Sequence, residues 1–241
     1  NSLSVHILID LDAHFRNSRL PLMALRPAPV QILYPFFVGT SGADFLPLAI
    51  HDKIVTPPEL SPSFSEHLML LPTSFYANSM RTHAIPEAPQ PDARREEGLP
   101  EAGVVLANFN QLYKVDGPTF LSWMQILRGM GSSSLWLRAE DAHAHAALRS
   151  FALRLRISPA RLVFARWAAT SEEHTRRSTL AALSLDTPLY NSMTTACDML
   201  WAGVPLLTRP GTKMVARLAS SLLLALDVPL LIARTREEYE E

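Results

Sequence analysis

The sequence predicts an α/β protein built as two lobes with mainly parallel sheets. Three observations lead there. Short apolar runs alternate with helical periodicity, several of those runs are apolar throughout rather than at every second residue, and a proline-rich stretch interrupts the alternation between residues 84 and 102. Strands buried on both faces read as continuous apolar runs, and helices between them supply the crossovers that parallel pairing requires. With 241 residues, 48% of them hydrophobic, and a mean hydropathy of +0.08, the chain can bury a substantial core as one large or two small domains.

The elements follow in order. Residues 1–83 form the later part of a first lobe, with strand candidates VHILIDL (5–11) and PVQILYPFF (29–37). Residues 84–102 carry four prolines and mixed charge without apolar periodicity, which reads as a linker. Residues 103–241 form the second lobe. Its strand candidates are GVVLANF (103–109), SSLWLR (133–138), RLVFA (161–165), LAALSLD (180–186) and PLLT (205–208), and its helices include PTFLSWMQILRGM (118–130) and AEDAHAHAALRSFALRLR (139–156). The apolar tail is broken at Asp227 and Pro229, so no run reaches the roughly 18 apolar residues of a membrane span. The Asn-Ser-Leu start and the uncapped TREEYEE end read as cuts within a longer protein.

Charge narrows the partners. Twenty-two basic and 23 acidic residues leave a net charge of -1, so no global field recruits nucleic acid or acidic membrane, and a charged ligand needs a local site. The single cysteine, Cys197, excludes an internal disulfide, fits a reducing compartment and reads as a small buried residue. There is no glycine-rich phosphate fingerprint or paired-cysteine motif. His143 and His145 stand two apart on a helix and face different ways, so no metal site is expected from them.

Ligands of open α/β sheets bind beyond the carboxyl ends of strands. Three such ends in the second lobe are unusual. In NFNQLYK (108–114) a strand gives way to amides and Lys114, one of only three lysines against 19 arginines, whose compact ammonium suits a diphosphate or, equally, solvent. In AATSEEHTRR (168–177), Thr170 and Glu173 form a capping box, while His174 and Arg177 share one helical face where they can meet a base or, through a Glu173–Arg177 pair, merely solvent. In MTTACDMLWAG (193–203), Thr194 or Thr195 caps a helix whose terminus attracts an anion, and Asp198 in the first turn can complete the cap or accept from a ribose diol.

Taken together, ALRPAPVQ (24–31), GTSGA (39–43), NFNQLYK, SEEHTRR (171–177), LDTPL (185–189), Thr194-Thr195 and DMLWAGVPLLT (198–208) resemble the catalytic region of the protein O-linked N-acetylglucosamine transferases and the related SPINDLY proteins. The resemblance implies the GT-B arrangement of two Rossmann-like lobes, the first incomplete here. It implies inverting transfer of N-acetylglucosamine from UDP-N-acetylglucosamine to protein serine or threonine hydroxyls, with no metal or other cofactor, in the cytoplasm or nucleus, with neither nucleic acid nor membrane as partner. A tetratricopeptide array would precede this region. By motif, Lys114 is catalytic, holding the diphosphate and stabilising the leaving group's charge beside Gln111, while Ala169 meets the base through its backbone, His174 stacks on it and Arg177 completes the pocket. Thr194 and Thr195 bind phosphate, Asp198 takes the ribose, and Asp10 and His14 face sugar and acceptor as catalytic residues. Ser171 and Met193 also fall at nucleotide-sugar-binding positions, and three positions depart from the family: Ser171 replaces a lysine, Met193 a histidine, and Phe36 a glycine. Two other readings stay open, a degenerate copy serving as a binding or scaffold module, and a protein O-fucosyltransferase using GDP-fucose.

Overall fold

The computed structural model describes residues 4–34, 36–139 and 141–241; the Asn-Ser-Leu start, Pro35 of the second strand candidate and Glu140 of the helix read over 139–156 lie outside them. The strands are β1 (Ile7–Asp10), β2 (Val30–Leu33), β3 (Leu48–Asp52), β4 (His67–Leu71), β5 (Val104–Asn108), β6 (Ser133–Arg138), β7 (Leu162–Ala165), β8 (Leu183–Leu185) and β9 (Leu206–Leu207). The α-helices are α1 (Leu20–Met23), α2 (Ala93–Glu96), α3 (Gly117–Gly129), α4 (Ala142–Arg154), α5 (Ser171–Ser178), α6 (Thr194–Trp201), α7 (Leu218–Ala225) and α8 (Arg236–Glu240). Packing separates the chain into two units. One comprises the chain up to Ala77 with Gly211–Val228, the other Asn78–Pro210 with Pro229–Glu241.

The first unit is a parallel sheet in the order β1-β2-β3-β4. The sequence reading missed β3 and β4, whose short runs LAIHD and HLMLL cannot be told from a helical turn by periodicity alone. Residues 211–228, read from sequence as second lobe, pack here instead. Their anchor is polar: Ser221 Oγ donates to Asp52 Oδ2 at 2.7 Å and Arg217 Nε to the Ile54 carbonyl at 2.6 Å.

His51 on β3 is 2% exposed, lies 2.8 Å from Thr56 Oγ1 through Nδ1, and meets Phe64 and Phe75 edge-on. Burial lowers its pKa from 6.5 to about 4, against the opposing pull of Glu66 and Asp52. The unfolded chain therefore takes up this proton first as pH falls, and the stability held above 6.5 is lost progressively down to about 4. We expect the first unit to lose roughly 2 kcal/mol between pH 7 and pH 5 from this residue. Urea titrations followed by far-ultraviolet dichroism will check it, since all four tryptophans lie in the second unit. His51→Gln should remove that portion of the pH dependence; an unchanged slope would clear His51.

The second unit is a parallel sheet in the order β7-β6-β5-β8-β9. Strand β5 starts at the centre, the chain steps outward through β6 and β7, and then crosses back to lay β8 and β9 on the other side. The order reverses between β5 and β8, which is where α/β sheets open a ligand crevice. Both faces are buried: Leu106, Leu135 and Leu137 join one core cluster with Trp123 and Leu127 of α3, while Val105, Ala107 and Trp136 join another with Leu180 and Met199. Alternate residues facing opposite cores explain the continuous apolar runs. Entry into β5 needs Gly103, at φ +99°, because a Cβ there would lie 2.0 Å from the Ser132 carbonyl that pairs with Val104 N–H.

Several boundaries differ from the sequence reading, the strand read over 29–37 ending already at Leu33, and two of them bear on the second unit. The strand read over 180–186 is only β8, because Leu180 and Ala181 still donate to the Arg177 and Ser178 carbonyls of α5. Residues 84–102 are not bare linker, since they carry α2, bury Leu99 and Glu97, and pack as part of the second unit.

Candidate functional site

The carboxyl ends of β5 and β8 are tied by a buried polar knot. Asn108 Nδ2 donates to the Leu185 carbonyl at 2.6 Å, Asn110 Nδ2 to Thr187 Oγ1 at 2.9 Å, and Thr187 Oγ1 to the Tyr190 carbonyl at 2.6 Å. Asp186, fully buried, accepts from Ser192 N–H and Oγ and from Thr208 Oγ1 at 2.6 to 2.8 Å. Lys114 closes the knot from the β5 side: its Nζ donates to the Asn191 carbonyl at 3.0 Å and lies 4.0 Å over the Tyr190 ring. Burial lowers the Lys114 pKa, while Asp186 pulls it back up. This ammonium is held in place rather than loose surface charge, and it does not itself line the cavity beside the knot.

Beside the knot opens a cavity of about 290 Å³, built by the ends of β5, β6 and β7 and by α5 and α6. His174, Arg177, Thr194, Thr195 and Asp198, read separately from sequence, all line it. Phe109, Arg138, Arg166 and Trp167 line it too and were missed. Phe109 and Arg138 were legible as the residues at two strand ends; Trp167, two residues beyond β7 and 67% exposed, has a bulky ring where solvent-facing chain ordinarily carries polar residues.

The histidine is held edge-on to Phe109 at 5.2 Å between centroids, and its Nε2 lies 3.9 Å from Asp198 Oδ2. Burial first, then the nearby guanidiniums of Arg177 and Arg138, lowers its pKa to about 4, so the ring is neutral at pH 7. Burial likewise raises Asp198 to about 6, leaving it mainly a carboxylate at pH 7. A neutral ring and an acceptor carboxylate face one cavity. That pairing suits a flat heterocycle joined to a diol.

Other predicted residues lie elsewhere or act differently. One half of the Thr170 capping box forms, with Thr170 Oγ1 accepting from Glu173 N–H at 3.1 Å; the Glu173 carboxylate reaches back to Ala169 rather than to Thr170, and it pairs with Arg166 at 2.6 Å and not with Arg177. Arg177 is 7% exposed, donates to the Arg166 carbonyl and lies over Phe109 and Trp136, so its guanidinium is committed to the wall of the cavity. The Ala169 N–H is taken by Glu173 Oε2 at 2.8 Å, leaving its carbonyl as the backbone group for a ligand. Neither Ala169 nor Ser171, the exposed first residue of α5, is a lining residue. Gln111 lines a neighbouring recess with Tyr113, Arg138 and Asp141.

The start of α6 needs a correction. Met193 occupies the N-cap without a side-chain cap, and Thr194 and Thr195 are the first two helical residues. The expected threonine cap is absent because the helix begins one residue earlier than the hydroxyls alone indicate. Asp198 accordingly stands in the second turn, where it reaches the cavity instead of the helix terminus.

In the first unit, Asp10 ends β1 and turns inward, its Oδ2 accepting from Ala13 N–H at 2.8 Å. His14 Nε2 lies 2.8 Å from the Ser41 carbonyl, in the GTSGA loop, and its ring meets Phe37 edge-on. That loop is pinned by Glu66, which accepts from Thr40 Oγ1 at 2.8 Å and Ser41 N–H at 2.6 Å. Burial works against ionisation of Glu66, but the bonds from Ser41 and Thr40 outweigh it and leave its pKa lowered. Phe36 is 43% exposed and edge-on to Tyr76. Among the described residues no three metal-type ligands cluster, and no helix is long and apolar enough to cross a membrane.

Comparison with known proteins gives this geometry a relationship. The chain is 37% identical, over its whole length, to a probable UDP-N-acetylglucosamine–peptide N-acetylglucosaminyltransferase of Arabidopsis thaliana named SEC, and 27% identical over 98% of its length to the corresponding transferase of Caenorhabditis elegans. It spans only 25% and 30% of those proteins. An O-GlcNAc transferase mutant from Thermobaculum terrenum superposes with a TM-score of 0.83 at 26% identity, covering 98% of this chain and 44% of that one. Sucrose-phosphate synthase from Thermosynechococcus elongatus, at 14% identity and a TM-score of 0.58 over 97% of this chain and 68% of its own, shares the fold alone, which is of GT-B type. The model of glycosyl transferase family 41 matches residues 1–84 and 76–241, and the chain therefore belongs to that family.

Proposed function

We propose that this chain is the donor-binding part of a protein O-N-acetylglucosaminyltransferase, taking UDP-N-acetylglucosamine and delivering the sugar to serine or threonine hydroxyls of proteins in the cytoplasm or nucleus. The observation that carries the reading is the cavity at the β5–β8 reversal, where His174, Asp198 and the α6 terminus converge. The base lies against the neutral His174 ring, Asp198 accepts from the ribose hydroxyls, and the diphosphate meets the positive end of the α6 dipole. Lys114 uses one N–H on Asn191, which leaves two donors of its ammonium for phosphate oxygens. As the sugar departs, negative charge builds on the diphosphate, and these fixed donors stabilise it without a metal. The relatives' names support this donor and acceptor.

The base assignment is testable. His174→Ala is expected to weaken uridine and UDP alike, by about 1.5 kcal/mol, because stacking concerns the base and not the phosphates. Titration calorimetry on the 241-residue chain will measure both. A loss confined to UDP would put His174 at the phosphate end, and no binding of UDP to the unaltered protein would defeat the donor reading itself.

A further inference from the structure

Glu97, one residue beyond α2 in the segment that resembles a linker, has a side chain only 4% exposed. Its Oε1 lies 3.0 Å from Arg166 Nη2 and its Oε2 lies 4.0 Å from Arg177 Nη1. Both arginines line the 290 Å³ cavity, and both also line a second cavity of about 190 Å³ together with Glu97 and Glu173. They are thus a partition with carboxylates behind it and the proposed base site in front. Arg166 is clasped a second time by Glu173 Oε1 at 2.6 Å, and Arg177 Nη2 lies 3.5 Å from His174 Nδ1.

The charge balance of this partition has a chemical meaning. The two guanidiniums of the partition, Arg166 and Arg177, are matched by two carboxylates, Glu97 and Glu173, so the partition itself offers shape and polarity but little net charge; the cavity's third guanidinium, Arg138, stands at the end of β6 and is no part of it. An uncharged base fits such a surface; a phosphate gains nothing there. Arg177 is almost wholly buried, and a buried guanidinium that loses its carboxylate must move or draw in another anion.

We propose that Glu97 is a positioning residue of the nucleotide cavity: it fixes Arg166 and Arg177 behind His174 and cancels their charge, so that the inner end accepts a base and rejects a phosphate. The inference rests on the nucleotide reading above. It assigns a ligand-selecting task to a residue of the segment 84–102, which has no strand of its own.

Glu97→Gln keeps the shape and removes the charge. In the full 241-residue chain, UDP affinity is expected to fall about tenfold while inorganic pyrophosphate binds about threefold more tightly, since the partition becomes a net cation. Opposite shifts are not what a merely loosened fold would give. Glu96→Gln, an equal charge change on exposed α2, should alter neither. If Glu97→Gln does not fold, Arg166→Gln breaks the same pair from the solvent side, Arg166 being 53% exposed, and should weaken UDP about threefold. Affinities that stay unchanged, or move in the same direction, in a folded Glu97→Gln protein overturn the proposal, as does an unchanged UDP affinity in Arg166→Gln. If the unaltered protein binds no UDP, the nucleotide reading fails separately, and the Arg177 Nε–H resonance decides the positioning: it should shift in Glu97→Gln but not in Glu96→Gln, and a fixed resonance overturns it.

Discussion

Asp186→Ala is expected to destabilise the second unit by about 3 kcal/mol. Burial raises the pKa of this carboxyl, yet bonds from Thr208, Ser192 and Thr187 pull the other way, so its partners are what make its place tolerable. Removing it leaves Ser192 N–H and the Thr208 hydroxyl buried with no acceptor, each costing about 1 to 3 kcal/mol. Its carbonyl also receives the Tyr239 hydroxyl, which in turn accepts from Trp123 Nε1, so a slip of this loop is felt in the core beneath α3. Urea unfolding followed by tryptophan fluorescence reads this unit directly. The sign of the pH effect is fixed by the raised pKa: the unfolded carboxyl gives up its proton first as pH rises, so Asp186 costs stability above its folded pKa and the variant's deficit should be smaller at neutral pH than in acid. A loss below about 1 kcal/mol in both conditions would mean that Ser192 and Thr208 find other partners.

How far the sequence reaches can be judged residue by residue. The second-unit sheet was legible because each strand is buried on both faces and flanked by a helix with a clear period. The Thr170 hydroxyl cap was legible because its members lie within five residues of chain, although the Glu173 carboxylate reaches one residue further back than a capping box predicts. The carboxylate partner of Arg177 was not legible for the converse reason, since Glu97 lies eighty positions upstream on a segment with no periodic signal. The same holds for 211–228, whose apolar helix is ordinary in sequence and is assigned to the first unit by Ser221 and Asp52, a pair 169 residues apart. Strand β3 was lost because its apolar run stops at His51 and Asp52, and β4 because it is a largely exposed edge strand, not the doubly buried strand that a continuous apolar run signals. The cavity residues emerged from the rule that ligands sit beyond strand ends, but the rule gives a place and not a role: Arg177 turned out to brace the wall, and Met193 to head a helix without capping it.

Lys114→Ala is expected to weaken UDP binding by about 2 kcal/mol, some thirtyfold, and to weaken uridine hardly at all. The difference between the two ligands isolates the phosphate contact. The ammonium is partly buried, so its removal also frees the Asn191 carbonyl and uncovers the Tyr190 ring, and stability should fall by about 1 kcal/mol. Measuring both ligands at a urea concentration of zero, with unfolding recorded for the same preparation, separates the two effects: a loosened β8 loop would weaken uridine and UDP together. Lys114→Arg is the sharper control. It keeps a cation but replaces a compact ammonium by a planar fork, which is too wide to sit over Tyr190 and donate to Asn191 in the same way. Partial recovery of UDP affinity with Arg, against none with Ala, would show that charge at this strand end does the holding. Turnover of the sugar donor should fall further than binding does, because diphosphate charge grows as the sugar leaves and a lost donor is felt most at that point. Equal loss in binding and in turnover would mean that Lys114 grips the ground state only, and the stabilisation of the leaving group would then have to come from the amides at the start of α6.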